Sequence, residues 1–183
     1  RGTQFNWTAA IVPSVVGGRR AHPPKVERAL DKKINDKERK KAIRSAIAAT
    51  INKELVIERG HTLPEKFPFI ISNDFEKINK TKALIDSLKK LGLDQDLARA
   101  DKRKVRAGKG KTRGRKYKKS KSALLVVSGK CDLIKSASNI PGIDIIEINN
   151  INASLLAPGT QPGRLTLFTD AAIEKLDKEK LFM

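Results

Sequence analysis

The chain has 183 residues, 39% of them hydrophobic, which suits one domain with a real core, and 39 basic against 20 acidic residues give a net charge of +19 and a pI near 10.2. That charge puts nucleic acid first among partners. The single Cys131 excludes an intramolecular disulfide and a cysteine-based zinc cluster, and apolar runs such as ALLVV at 123–127 fall far short of the roughly 18 residues of a membrane helix.

Residues 1–24, RGTQFNWTAAIVPSVVGGRRAHPP, keep neither a helical nor a strand period. Pro13, Gly17, Gly18, Pro23 and Pro24 interrupt the apolar residues, so the segment is expected to be an extended arm. A helix is expected next, capped by Asn35 with Glu38 three residues on, burying Ile43, Ala46, Ile47, Thr50 and Ile51 and stopping at Gly60 after KELVIER. Its basic residues Lys37, Arg39, Lys40, Lys41 and Arg44 fall largely elsewhere on the helix.

From Phe67 onward short apolar runs alternate with helical segments. PFIIS at 68–72, ALLVVS at 123–128, IDIIEI at 143–148 and RLTLF at 164–168 are aliphatic and hardly alternate, as strands covered on both faces do. Between them the pattern predicts a helix with Ile78, Thr81, Ile85 and Leu88 on one side that ends at Gly92. A shorter helix is expected over about 131–138, and a last one from Thr169 with Ala172, Ile173 and Leu176 inward. The expected fold class is α/β: a three-layer α/β/α sandwich on a mainly parallel sheet of about four strands, with the arm at 1–24 and a single domain at 25–183. A basic insertion at 93–122 interrupts the first crossover, where connections are usually short, so it is expected to be a disordered or functional loop.

That insertion holds the unusual chemistry. Residues 102–121 carry twelve Lys and Arg and no acid, whereas 122–183 carry six bases and seven acids. GKGKT at 108–112 falls short of a phosphate-binding P-loop, because Gly110, Lys111 and Thr112 require a glycine where Val105 stands and no strand precedes them; Gly108, Gly110 and Gly114 also miss the dinucleotide spacing. His22 and His61 have no ligand-spaced partners, and no pair of carboxylates stands out. The expectation is therefore no catalysis, no metal, no cofactor and no small-molecule substrate. The matches to a glycosylation signal at Asn6, Asn79 and Asn152 lack a secretory context and are read as chance.

In RAGKGKTRGRKYKK at 106–119, glycines let the backbone approach a sugar-phosphate surface, Arg113 and Arg115 can fork onto phosphates, and Arg106 is counted with them as an RNA-binding residue. Lys109, Lys111, Lys116, Lys118 and Lys119 add mobile charge, and Tyr117 can stack on a base. The bland alternative is a solvated basic loop.

VPSVVGGRRAHPPKVE at 12–27, NDKERKKAIRSAIAAT at 35–50, RAGKGKTRGRKYKK at 106–119 and LAPGTQPGRLTLFTDAAIEKL at 156–176 closely resemble the archaeal-type large-subunit ribosomal protein L-four family, in the family's order and over essentially the whole chain. The resemblance implies an α/β domain on the large subunit and a long loop threading rRNA toward the peptide exit tunnel, with no catalysis. It makes 12–24 the returning limb of that loop, with Arg19, Arg20, His22 and Lys25 as rRNA contacts, and 106–119 the second basic element. The family's N-terminal segment and outgoing limb have no counterpart here, and the chain opens on Arg1, so residues upstream are expected to be missing. The implied partners are large-subunit rRNA and neighbouring ribosomal proteins, without a membrane, and the implied location is the cytoplasmic ribosome. A free-standing RNA-binding or RNA-chaperone protein and a nucleotide-dependent α/β enzyme are the alternatives.

Overall fold

The computed structural model describes residues 12–182; Phe5, Asn6 and Trp7 of the expected arm lie outside the described residues. The chain divides into two compact units, Arg1–Ile34 and Asn35–Met183. Residues 12–34 of the first form turns without helix or strand, closed by Gly18 N–H donating to the Val15 carbonyl and Arg28 N–H to that of Lys25. Proline at 13, 23 and 24 withholds the donors a regular element needs.

The second unit opens with α1 (Asp36–Ile51), which buries Ile43, Ala46 and Thr50. Asn35 occupies the cap position, but its side chain makes no capping hydrogen bond, so the expected box with Glu38 does not form; Asp36 and Glu38 still place negative charge at the positive end of the helix dipole. The helix also stops earlier than its pattern suggests. Asn52 adopts an extended backbone and its side chain accepts from Glu54 N–H, which starts α2 (Lys53–Glu58) in a new direction and leaves Ile51 55% exposed. Gly60 and Gly92 end α2 and α3 (Thr81–Lys90) as expected: each takes a positive φ, and the following N–H of His61 or Leu93 reaches back to Val56 or Leu88. α3 buries Leu84 and Leu88, while Thr81 at its first turn is exposed.

The insertion is not an unstructured loop. It contains α4 (Asp94–Asp101) and a hairpin of β1 (Lys104–Val105) and β2 (Tyr117–Lys118), paired antiparallel with Val105 opposite Tyr117. The chain then enters β3 (Leu124–Val127), the centre of a three-stranded parallel sheet in the order β4-β3-β5, where β4 is Asp144–Glu147 and β5 is Thr166–Phe168. The expected strand at 68–72 contributes one bridge, Ile71 to Thr169. Pro68 has no N–H to give, and a 3-10 turn at Asn73–Lys77 begins at once, so Ile71 alone donates to Phe168 and accepts from Asp170.

Successive residues of β3 point to opposite faces, and all four are buried. Leu125 and Val127 join Leu84, Leu88, Leu133 and Ala137 in one apolar cluster, the last two from α5 (Leu133–Ala137). Leu124 and Val126 join Ile43, Ala46, Leu156 and Ala172 in the other, which brings in α6 (Ala153–Leu156) and α7 (Asp170–Lys178). β4, an edge strand, is only half-buried. α7 is capped by Thr169, whose hydroxyl accepts from Ala172 N–H; of its expected inward face Ala172 is buried and Ile173 exposed. The result is an α/β fold around a small parallel sheet.

Candidate nucleic-acid interface

The hairpin is built by few bonds. Beyond the two-residue ladder, Arg106 N–H donates to the Lys116 carbonyl (2.8 Å) and Arg106 Nε to that of Arg115 (3.1 Å). The tip folds on Gly108 and Gly110, whose carbonyls accept from Lys111 and from Arg113 and Arg115, and Thr112 Oγ1 donates to Lys109. Among the predicted residues here Arg106 is half-buried, because its stem lies over Gly110 and its Nε braces the turn. Lys109, Lys111, Arg113, Arg115, Lys116, Tyr117, Lys118 and Lys119 are all exposed. Tyr117, 49% exposed, has the Arg103 guanidinium 5.2 Å and the Lys116 ammonium 5.5 Å from its ring centre. Arg103 was not singled out by the sequence pattern.

No carboxylate occurs between Asp101 and Asp132 to offset this charge. At physiological salt, screening acts over about 8 Å, so neighbouring cations on the hairpin repel and a polyanion relieves that repulsion. Arg19, Arg20, His22 and Lys25 are exposed too, but they belong to the first unit.

Where the hairpin joins the domain, the side chains become buried and polar. Asp96 in α4 is fully buried; its Oδ1 accepts from Arg99 Nε (3.0 Å), Arg99 Nη2 (2.8 Å) and Thr62 N–H (3.3 Å) and lies 3.2 Å from His61 Nδ1, while Oδ2 accepts from Ser122 Oγ (2.5 Å). Burial alone would raise the Asp96 carboxyl, but hydrogen bonds from His61 and Ser122 and the charges of His61 and Arg99 outweigh it and hold the carboxyl at about 2. These His, Asp and Ser side chains do not make a nucleophilic set. The Ser122 hydroxyl is bonded to the carboxylate, not to the imidazole, and none of the three reaches solvent appreciably.

Arg164 holds the other side. Fully buried, it donates to the carbonyls of Ser122 (3.0 Å) and Leu155 (3.0 Å) and to Asp144 Oδ2 (2.6 Å), and Lys121 Nζ shares that carboxylate at 2.8 Å. Burial raises the Asp144 carboxyl, and the two cations more than reverse it. Sequence reading missed this set, although one signal was present: Asp96 stands on α4 with Leu97 and Ala100, and with Leu93 at the cap position before it, so an acid stands in an apolar stripe. Cys131 is half-buried, and burial pushes its thiol up, away from reactive thiolate. Among the described residues no group of three His, Cys, Asp or Glu side chains is placed to hold a metal ion, and no helix is long and apolar enough to cross a membrane.

Comparison with known proteins bears on the whole chain. Residues 6–179 match the ribosomal protein L4/L1 family. The chain is 53% identical over 173 residues to the large ribosomal subunit protein uL4 of Methanococcus aeolicus, spanning 92% of this chain and 68% of that one. It is 54% identical to the protein of the same name from Methanocaldococcus jannaschii, with the same shares covered, and 49% identical to that of Archaeoglobus fulgidus over 92% and 67%. The chain therefore belongs to the ribosomal protein L4/L1 family.

Proposed function

We propose that this chain is a structural, non-catalytic constituent of the large ribosomal subunit in the cytoplasm, binding rRNA through its basic hairpin and through the segment carrying Arg19, Arg20, His22 and Lys25. The observation that carries the reading is the hairpin: twelve cations and no acid in residues 102–121, displayed on a two-residue ladder around an exposed Tyr117. Apart from Lys121, which shares the Asp144 carboxylate, and Arg106, which braces the turn, these cations are exposed on the hairpin and its approach. Arginine forks and lysine ammonium groups suit phosphates, and the Tyr117 ring suits an unstacked base. The relatives' name, large ribosomal subunit protein uL4, supports the ribosomal setting with neighbouring ribosomal proteins as further partners. The resemblance to the family favours a position near the peptide exit tunnel.

The same reading takes residues 1–24 as an rRNA-binding arm and 25–183 as a domain with its insertion at 93–122. It takes the domain as a three-layer α/β/α sandwich, which the division of β3 side chains between two apolar clusters supports. Co-sedimentation with large subunits through high-salt gradients tests the assignment. Retention on subunits is the expected result; release at salt that leaves other ribosomal proteins in place would favour a free-standing RNA-binding protein.

A further inference from the structure

Both feet of the basic hairpin land on one point of the domain. The incoming foot follows Ala100, and the outgoing foot passes Ser120 and Ser122; a Cβ built on Gly142 would lie 2.7 Å from Ala100 Cβ, 2.9 Å from the Ser120 carbonyl and 3.1 Å from Ser122 N. Gly142 also takes a φ of +78°, so both the space and the backbone require glycine there. Ser122 then has every polar group held: its N–H donates to the Gly142 carbonyl (2.8 Å), its hydroxyl to Asp96, and its carbonyl accepts from Arg164. One residue earlier, the Lys121 carbonyl accepts from Arg99 Nη2 (2.8 Å). Asp96 and Arg99 sit on α4, which precedes the hairpin, so they tie its entry directly to its exit.

The hairpin beyond these feet has little to fix its direction. Its ladder is two residue pairs long, and a two-stranded ribbon of that size is marginal by itself. We propose that Asp96, Arg99, Ser122, Gly142 and Arg164 are positioning residues that fix the direction of the basic hairpin before RNA arrives, so that loosening them weakens RNA binding without removing one RNA contact. The inference rests on the reading of the hairpin as an rRNA interface. A hairpin free to swing loses orientational freedom on binding, and that loss subtracts from affinity while the number of phosphates met stays the same.

The test uses the full chain with nitroxides at Lys109→Cys and Lys130→Cys in a Cys131→Ser background, reading the tip-to-domain distance distribution without RNA. Ser122→Ala removes the bond to Asp96, and Arg99→Met removes the bond to the Lys121 carbonyl; Arg99 is partly exposed, so its variant carries the test if Ser122→Ala fails to fold. Each is expected to broaden a narrow distribution and to weaken binding of a large-subunit rRNA fragment about three- to tenfold, with the slope of log K against log salt unchanged within about one unit. Arg113→Ala, Arg115→Ala and Lys116→Ala together weaken binding and flatten the slope. If the triple variant loses binding while both foot variants keep a narrow distribution and full affinity, the positioning inference is overturned and the interface stands. If the triple variant binds like the parent, the interface reading fails, and positioning fails with it.

Discussion

Replacing Asp96 with Asn keeps the shape of the side chain and removes only its charge. The amide oxygen can still accept from Thr62 and Arg99, and the amide nitrogen can face the Ser122 hydroxyl, which rotates to accept. What is lost is the charge-dependent part of the network. The Asp96 carboxyl lies at about 2 in the folded chain against an ordinary 3.8, and a displacement of that size corresponds to about 2 kcal/mol. Because the folded value is depressed, the stabilisation is fully present above the unfolded value and disappears as pH falls through the folded one. The parent should therefore exceed Asp96→Asn by about 2 kcal/mol at pH 7, by roughly half of that near pH 3, and by little near pH 2. Urea denaturation of both proteins at steps from pH 7 to pH 2.5 gives the difference directly, and the other carboxylates cancel between them. A gap that stays constant over this range, or no gap at pH 7, would refute the account of Asp96 as a charged anchor.

Other substitutions probe the remaining supports. Arg164→Met leaves the Asp144 carboxylate and the Ser122 and Leu155 carbonyls without their buried donor, and should cost about 3 to 5 kcal/mol by chemical denaturation. Gly142→Ala forces a side chain into a positive φ against Ala100 and Ser120, and calorimetry should show a loss of about 2 kcal/mol or more. Leu125→Ala empties a fully enclosed position of the central strand and should lower stability by about 2 to 5 kcal/mol, while rRNA affinity, measured well below the melting transition, stays unchanged. The triple change at Arg113, Arg115 and Lys116 should do the reverse, with affinity falling by several kcal/mol at a nearly constant melting temperature.

The parts of this chain that sequence reading reaches are those governed by local or one-dimensional rules. ALLVV at 123–127 yields the central strand because burial on both faces demands an unbroken aliphatic run, and Gly60 and Gly92 mark helix ends because the turn there needs a positive φ. The basic block is legible as charge alone. Its fold is not: Lys104 and Val105 pair with Lys118 and Tyr117 in an exposed ladder of two residues a strand, too short for the β preference of Val105 and Tyr117 to show as a pattern. Asn52 breaks a helix whose apolar period continues through Ile51, because its side chain offers the next helix a cap. The polar set joins His61 to Asp96 and Asp144 to Arg164 across long stretches of sequence, so only the tertiary packing shows that these groups are paired.

The salt dependence of rRNA binding by the intact chain tests the central claim most directly. If the hairpin and the first unit together meet about eight to ten phosphates, log K for large-subunit rRNA should fall against log salt with a slope of about −6 to −9. The triple variant should be shallower by about the number of cations removed. A slope for the parent shallower than about −3 would contradict the account, because the cations concentrated in residues 102–121 would then be serving something other than a phosphate backbone.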